Sequence, residues 1–269
     1  MNDADQKLSK EGLANLAIDP DLLARELAAQ LAGDPLDEIE LDKTDEDLVN
    51  SSKECDLALK WLQSGNEERL QGLRVFCEHR DPRALPFLVP LLDEPSPVLR
   101  MSAVYALGRN PCPRAIDLLL HLLRFDSNAY VRKATAWSLG NYPDAPVLKP
   151  LINALKQDVA AVRLWASSSL AEVGLNTAES SLPAATQLLE SLEVDGEPIV
   201  RSNCIWSLGR LYNLLEEEMK IHIEETLISV LLNDREPSVR YESRTVLEQL
   251  DSPEVHKKLQ LLIDDGQLV

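Results

Sequence analysis

The stretch Tyr130–Gly140 reads "YVRKATAWSLG". It decides the fold because it recurs. Aligned on its arginine, it matches "VLRMSAVYALG" (Val98–Gly108), "AVRLWASSSLA" (Ala161–Ala171), "IVRSNCIWSLG" (Ile199–Gly209) and "SVRYESRTVLE" (Ser238–Glu248). The arginines are Arg100, Arg132, Arg163, Arg201 and Arg240, spaced by 32, 31, 38 and 39 residues. Seven residues after each comes a leucine: Leu107, Leu139, Leu170, Leu208 and Leu247. A weaker first copy starts at Arg69, with Phe76 in the leucine place. Self-similarity at this period is the mark of a solenoid, in which each unit buries its apolar face only against its neighbours.

Each unit reads as two helices, A then B. The A segments include "PRALPFLVPLLD" (Pro82–Asp93), "PRAIDLLLHLLR" (Pro113–Arg124) and "PVLKPLINALKQ" (Pro146–Gln157), with apolar residues at helical spacing. Proline in a first turn suits a helix start, where no N–H is needed. Pro86 and Pro90 lie deeper and should bend their helix. Gly108, Gly140 and Gly209 fall where the B helices should stop. The expected architecture is all-α: a right-handed superhelix of about six helix pairs over residues 51–269, with a closing helix at Ser252–Gly266. A capping box, Ser51-x-x-Glu54, should open the first array helix.

Residues 1–50 differ in kind. They carry 14 Asp/Glu against four Lys/Arg, a net of −10. "DPDLLARELAAQLAG" (Asp19–Gly33) reads as one amphipathic helix, and the acidic run after it as a linker. The segment could cap the first repeat or tether a partner.

Composition removes several functions. The formal net charge of the 269 residues is −18, which repels phosphate backbones and anionic membranes and argues against both as partners. No apolar run reaches a membrane span, and "MNDADQKLSK" lacks a signal-peptide core. Four scattered cysteines do not make a disulfide framework, so a reducing cytoplasm is the expected location. There is no Gly-rich phosphate loop, no zinc-type Cys/His spacing and no nucleophile-elbow pattern. No catalytic residue can be singled out. Cys77 and Cys112, at the B-to-A turns of adjacent repeats, are the one weak metal candidate, with His79 beside Cys77.

Placing each signature arginine at position zero and advancing 100° per residue sorts the B helices into faces. The residue before it and positions +3, +6, +7 and +10 form a packed face of small and aliphatic side chains. The arginines are expected to form a structural ladder with Asp93, Asp126, Asp158, Asp195 and Asp234, which sit just ahead of them. Positions +2, +5 and +9 point away from the packed face, into the concave surface. They hold Tyr105, Trp137, Trp165 and Trp206, followed by Arg109, Asn141 and Arg210. Aromatics flanked by arginine are typical of binding hot spots, so these seven are the candidate partner- or ligand-binding residues. The same aromatics could instead pack on one another and fill the groove.

The residues "DPRALPFLVPLL", "SPVLRMSAVYALG" and "YVRKATAWSLG" resemble HEAT repeats, and more narrowly the HEAT-like repeats of the phycobilisome-lyase family, over about residues 66–250. That resemblance implies an α-solenoid acting as a non-catalytic scaffold in cyanobacterial phycobilisome or cofactor assembly or turnover. The partner it implies is a phycobiliprotein or a second HEAT-like chain. It also admits a bilin lyase subunit, with a bilin as ligand along the aromatic strip, or an accessory protein for iron–sulfur assembly.

Overall fold

The computed structural model describes residues 45–142 and 144–268. Asp19–Gly33 and most of the acidic run after it lie outside the described residues. Six helix pairs follow one another. The A helices are α1 (Asp45–Trp61), a segment centred on α3 (Leu85–Leu88), α5 (Ile116–Phe125), α7 (Leu148–Gln157), α9 (Ala178–Val194) and α11 (Glu217–Asn233). The B helices are α2 (Asn66–Glu78), α4 (Pro97–Arg109), α6 (Ala129–Leu139), α8 (Ala160–Asn176), α10 (Pro198–Leu211) and α12 (Pro237–Gln249). A thirteenth helix, α13 (Pro253–Asp264), closes the array, its start capped by the Ser252 hydroxyl accepting from the Val255 N–H. No strand occurs among the described residues.

Each A helix packs on its own B helix, and each B helix packs along the next, from α2 through to α12. Neighbouring A helices touch far less. A double row that is tight on one side and splayed on the other must curve, so the B helices form the inner, concave face. The result is an all-α solenoid.

The core follows the register read from the sequence. Leu99, Val131, Val162, Val200 and Val239, just before the arginines, are buried. So are Ala103, Thr135, Ala166, Cys204 and Ser243 at +3, and all five leucines at +7. Each such leucine contributes about 2 kcal/mol by leaving water. Burial pushes the Cys204 thiol far above its ordinary pKa, so it acts as a small apolar filler.

Three local expectations need correction. The first helix starts at Asp45, so the Ser51 box lies inside it. Pro86 and Pro90 do more than bend their helix. The run Pro82–Asp93 divides into a 3-10 turn (Pro82–Ala84), four α-helical residues and a second 3-10 turn (Val89–Asp93), since neither proline has an N–H for the ladder.

The third concerns the glycines, which do not stop their helices by a left-handed turn. Among the described residues only Gly266 has positive φ. Gly108 lies within α4 and Gly209 within α10, whereas α6 does end at Gly140, its cap, in right-handed geometry. Their role is close approach: a Cβ at Gly108 would come within 2.3 Å of the Trp137 ring, and one at Gly140 within 2.7 Å of the Ser169 hydroxyl.

Candidate functional site

The signature arginines form a ladder between repeats. Arg100 donates from Nε and Nη2 to the two carboxylate oxygens of Asp126, at 2.8 and 3.0 Å. Arg132 grips Asp158 in the same way at 2.8 and 2.7 Å, Arg163 grips Asp195 at 2.7 and 2.8 Å, and Arg201 grips Asp234 at 2.9 and 2.8 Å. The partner is always the aspartate that ends the next repeat's A helix. The third donor, Nη1, clamps the arginine's own A-to-B turn: Glu94 for Arg100, Asp126 for Arg132, Asp158 for Arg163 and Asp195 for Arg201, each through its carbonyl. Each aspartate also accepts a turn N–H, as Asp126 does from Asn128 and Asp234 from Glu236. One side chain thus fixes a turn and the register of two repeats.

The ends of the ladder differ from expectation. Asp93 is exposed and takes no rung, because Arg69 reaches Glu94 instead, at 3.3 Å. Arg240, on the last B helix, keeps the clamp to the Asp234 carbonyl, at 2.7 Å, and among the described residues α13, which follows it, supplies no matching rung.

The rungs set a pH dependence. At Asp195 burial opposes ionisation, but the Arg163 guanidinium and the Glu197 N–H overcome it and lower the pKa. At Asp234 the Arg201 hydrogen bonds are the leading cause of the same direction. A carboxylate with a folded pKa below its unfolded value of about 4 adds stability above that value. That stability is lost as pH falls through the folded pKa. The thermal midpoint should therefore hold from pH 7 to about 5 and fall steeply below about 4. Asp234→Asn should start lower and flatten that fall; an unchanged slope in the variant would remove Asp234 as a contributor.

The concave aromatics do not form one continuous strip. Tyr105 is 1% exposed and belongs to the core. Trp137 lies over it, ring centroids 5.5 Å apart and tilted by 57°, and fills the slot left open by Gly108. Trp165 is also partly buried against the core. Arg109 is turned back onto the preceding repeat, where its Nε donates to the Cys77 carbonyl at 3.3 Å. Packing, the second reading of these residues, is what the geometry displays for Tyr105 and for most of Trp137.

Trp206 is different. It is 40% exposed on α10, with the Arg210 guanidinium 5.0 Å above its ring. Arg210 in turn pairs with Glu172 of the preceding B helix, at the same +9 register. Asn141, also at +9, is exposed. One residue missed in the sequence reading stands exposed near this end of the array: Tyr241, at +1 on α12, is 71% exposed. The signal was present, since an aromatic there breaks the pattern Met101, Lys133, Leu164, Ser202.

Cys77 and Cys112 are both buried. The Cys77 thiol points at the Ser102 carbonyl, 3.8 Å away, and the Cys112 N–H donates to the Tyr142 hydroxyl. His79 faces Glu54 at 3.2 Å. Among the described residues no group of three His, Cys, Asp or Glu side chains could hold a metal ion. None of the described helices is long and apolar enough to cross a membrane.

Comparison with known proteins agrees with this geometry. Solved structures of similar shape include a designed armadillo repeat protein in complex with the peptide (KR)4. It is 20% identical, with a TM-score of 0.56, over 72% of this chain and 98% of that one. Another designed armadillo repeat protein is 19% identical, with a TM-score of 0.53, over 73% and 100% of the two chains. A third is from a structure in which Kap95p binding induces the switch loops of RanGDP to adopt the GTP-bound conformation. It is 15% identical, with a TM-score of 0.56, over 88% of this chain and 35% of that one. A search of curated proteins finds no match. The family model for HEAT repeats matches residues 56–140 and 116–209, which together run from 56 to 209 and cover more than half of the sequence. The chain belongs to the HEAT-repeat family.

Proposed function

We propose that this protein is a non-catalytic adaptor that holds a segment of another protein along its inner face, with Trp206 as the anchor. One observation carries the reading. The aromatics at the same register, Tyr105 and Trp137, are taken up by packing, whereas Trp206 stays 40% exposed beside a guanidinium. A large rigid ring at the surface of a concave helical face, next to Arg210, has the composition of an interface hot spot. The peptide held by one of the designed armadillo proteins supports this use of a similarly shaped solenoid. The resemblance of the repeat signatures to the phycobilisome-lyase family makes a phycobiliprotein the first partner to try. A bilin lyase reading is weaker, because a flat pigment floor would need Tyr105 and Trp137 open to the groove.

The test is a pulldown from native cells, with an absorption spectrum of the eluate, followed by titration of the recovered partner. Trp206→Ala should weaken binding by about 30-fold, which corresponds to about 2 kcal/mol. Its thermal midpoint should stay within about 2 °C of the parent, since surface substitutions cost little. Partner affinity untouched by Trp206→Ala would sink the proposal, and a bilin spectrum without a protein partner would replace it.

A further inference from the structure

Two grooves run between neighbouring A helices, on the outer side of the array. The first lies between the C-terminal halves of α5 and α7 and measures about 1070 Å³. Its rim carries His121, Arg124, Phe125, Lys149 and Val159, and the Arg132–Asp158 rung lines it. The second, about 590 Å³ between α7 and α9, is lined by Glu190, Glu193 and Asp195, with Lys156 and Arg163 paired to Glu190 and Asp195. The two differ in charge. In the first groove the single carboxylate, Asp158, is engaged by Arg132, and the rim presents arginine, lysine and histidine. It is also apolar at the surface: Phe125 is 61% exposed and Val159 47%. Arg124 lies 5.0 Å over the Phe125 ring, and the His121 ring is 5.1 Å from it. A chain of net charge −18 that sets cations around exposed apolar side chains at one place has built a surface for an acidic, amphipathic ligand. The space exceeds the upper range of small-molecule pockets, about 1,000 Å³, and is open along the helices, as a groove for a helix is.

We propose that this groove docks the chain's own segment Asp19–Gly33. That stretch has the required chemistry. Leu23, Leu27 and Leu31 recur every fourth residue, one helical stripe, and Asp19, Asp21 and Glu26 outnumber Arg25. The acidic residues Asp34, Asp37, Glu38, Glu40 and Asp42 follow directly. The leucines would cover Phe125 and Val159, and the carboxylates would meet Arg124 and Lys149. In the α7–α9 groove Lys156 and Arg163 are already engaged by Glu190 and Asp195, and Glu193 adds a further carboxylate facing the same segment. Reach permits the docking: the eleven residues 34–44 extend to about 36 Å. With helices about 10 Å apart and α1 about 25 Å long, the groove is about 35 Å from the start of α1 on the diagonal. Tethering also gives the segment an effective concentration in the millimolar range, so weak contacts suffice.

The test uses the full chain carrying Phe125→p-benzoylphenylalanine, irradiated as an equal mixture of ¹⁴N- and ¹⁵N-labelled protein and mapped by mass spectrometry. Cross-links from position 125 to peptides within residues 19–33 of the same chain are expected. The double substitution Arg124→Glu/Lys149→Glu should cut their yield about tenfold, the size of a loss near 1.4 kcal/mol. The same photoprobe at Val194, beside the acidic groove, should give none. Links that join differently labelled chains would assign the groove to a second copy. Absence of any link to residues 1–44 would leave it to an acidic partner protein. Either result overturns the proposal.

Discussion

Arg201→Ala is expected to lower the thermal midpoint by about 6–12 °C, the equivalent of about 3 kcal/mol in an array of this size. Arg201 is 5% exposed, and its partner Asp234 is nearly as well covered. Truncation removes a bidentate pair and the clamp on the Asp195 carbonyl together. It also leaves the partly buried Asp234 carboxylate with the Glu236 N–H and the charge of Arg235 in place of its bidentate partner. The cost of that stranded charge, more than the loss of attraction, sets the magnitude. Two further variants separate the terms. Arg201→Met/Asp234→Leu strands no charge and should recover most of the loss. Arg240→Ala removes only a turn clamp and should cost about 1 kcal/mol. Differential scanning calorimetry on the three decides the matter. A midpoint for Arg201→Ala as mild as that for Arg240→Ala would show that apolar contacts alone hold the repeats in register.

The ladder was legible in the sequence because its chemistry demands fixed residue types at fixed spacing. An arginine that must reach a turn carbonyl and the next repeat's carboxylate cannot drift, so it recurs. The same holds for Ala, Ser and Leu at +3, +6 and +7, where B helices approach closely. The sequence could not show which repeat supplied each carboxylate, because both spacings put an aspartate within reach. Nor could it show which aromatics face out. That depends on the residue at +8 of the repeat before. Gly108 holds that place ahead of Trp137 and leaves a slot into which the indole fits. Ala171 holds it ahead of Trp206 and is itself buried. Two tryptophans at one register thus end in different surroundings. Periodicity within one helix carries no information about that contact.

This pairing gives the second large expected effect. Trp137→Ala should cost about 3 kcal/mol, because the removed indole leaves a cavity between Gly108, Tyr105 and the helix beneath. Gly108→Ala should destabilise as well, by about 1–3 kcal/mol, although alanine is the better helix former by about 1 kcal/mol. The added methyl would stand 2.3 Å from a ring carbon, and a rigid indole packed on Tyr105 cannot turn aside. The two substitutions should not add. In Gly108→Ala/Trp137→Ala the new methyl enters the space the indole has left, so the loss should fall short of the sum by at least about 1 kcal/mol. Urea unfolding of the four proteins of the cycle measures that coupling. Additive losses, with Trp137→Ala itself below about 1 kcal/mol, would mean that the indole does not occupy the Gly108 slot in solution. Trp137 would then join Trp206 on the open face, and the binding surface would extend two repeats further toward α4.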